Sequence, residues 1–88
     1  MASLNWLIFS NKPEEFSQEL LKGISDRPEY CDEIMKKAFG KDYDHTSIMA
    51  IKFLPDLYEM AINNLLKKKL IIPVTKGQNV FLTSYKRA

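Results

Sequence analysis

Apolar residues recur at helical spacing over most of this chain and shift to strand-like runs near its end. Phe16, Leu20, Leu21 and Ile24 form one stripe, spaced as one face of an α-helix. Pro13, Glu14 and Glu15 stand just ahead of the stripe. A proline suits a first helical turn, where its missing N–H is not needed, and acids there face the positive end of the helix dipole. Tyr30, Ile34, Met35, Ala38 and Phe39 make the next stripe and predict a second helix that opens at Asp26 and closes at Gly40. Asp26 and Glu29 have capping-box spacing, Pro28 falls in the first turn, and Gly40 suits the left-handed conformation that ends a helix.

After a turn at Lys41-Asp42-Tyr43-Asp44, the pattern predicts a third helix over 46–53, with Asp44 or Thr46 as its N-cap, and a fourth over 55–69. Pro55 divides the two, because the residue before a proline is pushed out of the helical region, so Leu54 is expected to be a bend. Leu54, Leu57, Tyr58, Ala61, Ile62 and Leu65 give the fourth helix a wide apolar face, with Asp56, Glu59, Asn63 and Lys67 opposite. Leu70-Ile71-Ile72-Pro73-Val74 and Val80-Phe81-Leu82-Thr83 then flank Thr75-Lys76-Gly77-Gln78-Asn79. That arrangement predicts a β-hairpin, with Gly77 supplying the positive φ of a tight turn. Pro73 cannot donate to a ladder, so its strand is expected at an edge or with that position turned outward. Trp6-Leu7-Ile8-Phe9 lies outside these elements and is expected either to pack on the core or to form a dimer arm. Exposure of those side chains as one patch would mark an interface.

Together the elements predict an α+β domain of about four helices followed by a C-terminal two-stranded β-hairpin. At 88 residues, 45% hydrophobic and 27% charged, the chain has room for one globular domain over 1–88. A domain of this size buries only roughly 60–70% of the surface of its unfolded chain, so self-association would add to a modest stability. A homodimer is therefore one expected state.

Chemistry enters mainly by exclusion. Cys31 is the only cysteine, so no internal disulfide forms. The N-terminus lacks a signal-peptide layout, and the apolar run at 6–9 is too short to span a bilayer. The expected location is the cytoplasm, with no membrane partner. Cys31 is expected to be a small core or near-core residue, and His45, the only histidine, a surface or loop residue, since neither has a catalytic companion in view. Asp42-x-Asp44 invites a metal reading, but Thr46, Ser47 and Phe53 stand where a calcium loop needs Asp/Asn, Gly and Glu. Asp44 or Thr46 as a helix cap accounts better for those residues. Gly23, Gly40 and Gly77 are scattered over separate turns and make no phosphate loop. No enzyme, metal or cofactor is expected.

Charge supplies the positive lead. Net charge is +2, but residues 1–59 hold 7 Lys/Arg against all 11 Asp/Glu, or −4, while residues 60–88 hold 6 against none, or +6. Such a field steers a polyanion towards the basic end. Lys67, Lys68 and Lys69 span about 200° around a helix, so they do not form the polar face of an interfacial membrane anchor.

Leu66-Lys67-Lys68-Lys69-Leu70-Ile71, the Gly-containing turn and Phe81-Leu82-Thr83 together resemble the helix-end-to-wing segment and outgoing wing strand of winged-helix regulators. The resemblance covers about a third of the chain. It implies a winged-helix-like fold, with 46–53 and 55–69 standing where the family has its helix-turn-helix. The family often has a glycine where Lys69 stands, a departure at the helix-to-wing junction. The resemblance also implies double-stranded DNA as partner, with the exposed face of the fourth helix in the major groove and the wing on the flanking backbone. On that reading Lys67, Lys68, Lys76, Lys86 and Arg87 are phosphate ligands and Asn63 an adenine reader, with Asn64 facing less well.

Asp56 and Glu59 oppose this reading, because they put carboxylates at the helix end that would enter between phosphate walls. Only two arginines occur in the chain, whereas guanine readout favours arginine. The alternative is a protein-interaction adaptor or inhibitor on the same scaffold, since fold alone does not choose a function. The acidic front half suits a basic protein partner.

Overall fold

One long helix with seven buried side chains on one face organises the fold. The computed structural model describes residues 4–10 and 12–88. Among these it places five helices and a two-stranded antiparallel sheet: α1 (Leu4–Phe9), α2 (Pro13–Leu21), α3 (Cys31–Phe39), α4 (Lys41–Asp44), α5 (Ile48–Lys67), β1 (Ile71–Pro73) and β2 (Tyr85–Arg87). The α+β class expected from the sequence is present, with helices first and the sheet at the C-terminal end.

The expected third and fourth helices are a single element, because α5 runs through Pro55 without a break at Leu54. An interior proline costs about 3 kcal/mol or more. Burial on both sides of it offsets that cost: Ala50 and Leu54 before it, and Leu57, Tyr58, Ala61, Ile62 and Leu65 after it, all lie in the core. The carbonyl that Pro55 leaves without a helical donor belongs to Ile51, a residue half-exposed to solvent. Ser47 caps the helix, its Oγ accepting from the Ala50 N–H at 3.1 Å, in place of the expected Asp44 or Thr46.

Both α1 and α2 pack on α5, and α3 packs on α2. Phe16, Leu20 and Ile24 are buried as the stripe predicts, while Leu21 is half-buried. The helix expected to open at Asp26 starts at Cys31 instead, with Tyr30 as its N-cap and no side-chain cap. Glu29 exchanges two backbone hydrogen bonds with Tyr85, at 3.1 and 2.9 Å, and the Arg87 N–H donates to the Ser25 carbonyl at 2.9 Å. The stretch 25–29, bent at Asp26 and Arg27, is thus tied to β2 at both of its ends. Arg27 precedes Pro28 and is disfavoured as helix, which helps this tertiary pairing to override the capping box. Gly40 ends α3 with a φ of 57°, a backbone open mainly to glycine.

α5 closes on Lys68, and Lys69 takes a φ of 61°. Its N–H donates to the Leu66 carbonyl and the Leu70 N–H to the Leu65 carbonyl, each at 3.0 Å. These two bonds are the Schellman pattern, which normally places glycine in the left-handed position. Lys69 thus holds a glycine-like backbone conformation without being glycine.

The hairpin is longer than expected. β1 falls inside the predicted strand, with Ile71, Ile72 and Pro73 opposite Arg87, Lys86 and Tyr85. Val80-Phe81-Leu82 is a 3-10 turn and not a strand. The Asn79 side chain accepts from the Phe81 and Leu82 N–H groups at 2.9 and 3.1 Å, which curls this apolar stretch into a turn. Gly77 has no positive φ. It is needed for space, since an added Cβ would lie 2.3 Å from the Leu82 carbonyl oxygen. Tyr85 spends both backbone groups on Glu29, so Pro73 opposite it sits where no N–H is required, as the proline demands.

The core draws on every part of this arrangement, from Leu4, Leu7 and Ile8 of α1 to Ile71 and Tyr85 of the sheet. In Trp6-Leu7-Ile8-Phe9, Leu7 and Ile8 pack on the core, whereas Trp6 and Phe9 are 57% and 54% exposed.

Candidate functional site

The basic end presents fewer open cations than its charge implies. The Arg87 guanidinium turns inward, with Nε donating to the Ile24 carbonyl at 2.7 Å and Nη2 to the Leu21 carbonyl at 2.8 Å. It covers the carbonyl end of α2, where a cation also suits the negative end of the helix dipole. Lys68 pairs with Glu14 of α2. Asn64 donates to Glu14 at 3.0 Å and to Ser17 at 3.1 Å. The hydrogen bonds from Lys68 and Asn64 hold the Glu14 carboxyl below its ordinary range. Two of the expected phosphate ligands, Arg87 and Lys68, thus also hold α2 to the rest of the fold.

Lys67 at the end of α5, Lys76 in the 74–84 loop and Asn63 on α5 are exposed, and Lys86 on β2 is half-buried. None of these four side chains has a hydrogen-bond or ion-pair partner among the described residues. Asp56 and Glu59 are exposed on α5, so the carboxylates that oppose a polyanion are at the surface.

A different surface stands out on α5. Met49, Phe53 and Met60 are 67%, 56% and 50% exposed, although the same helix buries seven side chains on its other side. Steps of four, three and four residues through Met49, Phe53, Asp56 and Met60 keep these positions on one helical stripe. α1 lies alongside, and Ile8, Phe9, Phe53, Asp56, Leu57 and Met60 wall a groove of about 410 Å³ between the two helices. The sequence pattern held this stripe, but dividing the helix at Pro55 put Met49 and Phe53 in one segment and Met60 in another.

A second, smaller hollow of about 190 Å³ lies between α5 and α3, with Cys31, Met35, Leu54, Pro55, Tyr58 and Phe81 among its walls. Phe81 stacks on Tyr58 at 5.3 Å between ring centroids. The Tyr58 hydroxyl is buried without a hydrogen-bond partner of good geometry among the described residues, and the Cys31 thiol faces it. Burial pushes the Cys31 thiol up to about 11, so it stays protonated near neutral pH and is a poor nucleophile there. Tyr43, partly buried and donating to Asp32 at 3.0 Å, is pushed up to about 12.

His45 ends α4 at the surface, and Asp42 and Asp44 are exposed beside it. Among the described residues no three His, Cys, Asp or Glu side chains are grouped to hold a metal ion. Among them, too, no helix is long and apolar enough to cross a membrane. Comparison of the chain with protein-family models, with curated proteins and with solved structures gave no match in any of the three.

Proposed function

We propose that this chain is a protein-interaction module, an adaptor or inhibitor, that docks through the apolar face shared by α1 and α5. The observation that carries the reading is the exposed row Met49, Phe53 and Met60 beside Phe9, left open by a domain whose core is complete without it. Complete burial of a side chain of this kind is worth roughly 1.5–3 kcal/mol. Half-exposed as they are, these four retain several kcal/mol for a partner, and an open apolar stripe of this extent is the usual mark of an interface. Asp56 adds one polar contact inside the groove.

The winged-helix reading of the scaffold takes its support from the order of α5, the glycine-like turn at Lys69, β1 and β2. The continuity of α5 through Pro55 counts against it, since a helix-turn-helix needs a turn there. The lone, half-buried thiol of Cys31 suits a reducing compartment, and the cytoplasm is the location that goes with this proposal.

Duplex DNA is the second reading, and it rests on Lys67, Lys76 and Lys86, whose side chains have no protein partner among the described residues. Two measurements separate the readings. A labelled duplex is titrated with the protein across a salt series, and partner capture is compared for the wild type, Phe53→Glu and Lys76→Glu. The docking reading expects Phe53→Glu to lose the captured partner, Lys76→Glu to keep it, and the duplex to bind weakly. Tight, steeply salt-dependent duplex binding that Lys76→Glu weakens and Phe53→Glu leaves intact would reverse the assignment.

A further inference from the structure

The occupant of the α1–α5 face follows from the symmetry of the side chains along α5, an argument that rests on that face being a docking surface. We infer that the occupant is a second copy of this chain, with the two α5 helices packed antiparallel about a two-fold axis. Such an interface must be complementary to itself, so attractive groups have to be placed evenly about one level of the helix. Residue 54 marks that level. Lys52 and Asp56 lie two residues on either side of it, both exposed and both without an ion-pair or hydrogen-bond partner among the described residues. A two-fold axis crossing α5 there brings each Lys52 level with the Asp56 of the second copy.

The apolar residues are balanced about the same level. Phe53 sits beside the axis and meets Phe53 of the second copy. Met49 lies five residues before residue 54 and Met60 six after it, so each falls within about one residue, or about 1.5 Å of rise, of the other across the axis. Phe9, on the rim of the groove, is then covered as well. The exposed side of α5 carries the cation Lys52 and, one turn on, the anion Asp56, with Glu59 beyond it, so an antiparallel second copy meets Lys52 and Asp56 each with its opposite charge. That pattern suits its own antiparallel copy.

The test is the mass of the full chain in solution, measured by sedimentation or light scattering over a range of concentrations. The expected species has twice the 10.2 kDa mass of the chain. Phe53→Glu is expected to be monomeric with unchanged helix content. Met60→Glu, farther from the axis, serves the same purpose should Phe53→Glu fail to fold. Lys52→Asp and Asp56→Lys each turn two opposite-charge contacts into like-charge ones and should raise the dimer dissociation constant about tenfold. The double exchange, Lys52→Asp with Asp56→Lys, should bring it back to near the wild-type value. A wild type that stays monomeric up to roughly 1 mM, a dimer indifferent to Phe53→Glu and Met60→Glu, or a double exchange as weak as the single ones would overturn the inference. A monomer whose capture of a different protein still depends on Phe53 would overturn the self-association alone. A monomer that captures nothing would remove the docking role as well.

Discussion

Replacing Lys69 by glycine should stabilise the protein, although it deletes a charge and every side-chain atom beyond Cα. Lys69 holds a φ of 61° at the end of α5, where its N–H and that of Leu70 close the two bonds that finish the helix. An L-residue in this left-handed region costs roughly 1–2 kcal/mol. Glycine removes the cost but gives up about 0.5–1 kcal/mol through its freer unfolded chain. A further loss of about 0.3 kcal/mol comes from removing a cation at the helix C-terminus. The net gain is about 0.5 kcal/mol, which for a domain of this size raises the midpoint of thermal unfolding by roughly 2–4 °C. Thermal and urea unfolding followed by circular dichroism measure it, and the urea slope should not change. Lys69→Val, β-branched in a region that rejects such side chains, should be less stable than the wild type. If glycine proves no better than lysine while valine is tolerated, Lys69 does not occupy the left-handed position and the closing pattern of α5 is different.

Gly77→Ala should destabilise the fold by about 1–3 kcal/mol in chemical denaturation, because the new methyl group meets the Leu82 backbone in a packed loop. Arg87→Met should cost about 1–2 kcal/mol by removing two charge-assisted hydrogen bonds at the end of α2, with little effect on any DNA titration. Glu29 accepts from Lys37 at 2.5 Å and from Ser25 at 3.0 Å, and these contacts, that of Lys37 first, hold its carboxyl below 4.5. Its folded value is the lower one, so its contribution is present above pH 4.5 and is lost as pH falls through the depressed value. An acid titration of stability should therefore be less steep for Glu29→Gln than for the wild type.

The parts of the fold legible in the sequence are those set by local spacing. Phe16 and Leu20 declared the buried face of α2, and Leu57, Tyr58, Ala61, Ile62 and Leu65 that of α5, because helical periodicity reports burial directly. The start of α3 was hidden, since its upstream residues pair with Tyr85 and Arg87 near the other end of the chain. The local rule for Pro55 was outweighed by apolar residues on both sides of it, a balance that becomes visible only when the packing is known. Val80, Phe81 and Leu82 have strand-forming side chains, yet the Asn79 amide satisfies two of their N–H groups and bends them.

The candidate site divides in the same way. Exposure at Asn63, Lys67 and Lys76 could be read from helix facing and from a polar loop tip. The fates of Lys68 and Arg87 could not, because their partners lie 54, 63 and 66 positions away. The apolar stripe was present in the spacing of Met49, Phe53 and Met60, but it emerged only once α5 was known to be one helix.

The grip of Arg87 on the end of α2 also sets how the molecule opens. The bonds it makes to residues 21 and 24 are reinforced by its own N–H on Ser25 and by the pairing of Tyr85 with Glu29. The last turn of α2, the stretch 25–29 and β2 therefore form a single latch, which β1 backs through its ladder to β2. Amide protons at Glu29, Tyr85 and Arg87 should exchange with solvent at one common rate, and α2 should fray from this end whenever β2 lifts away.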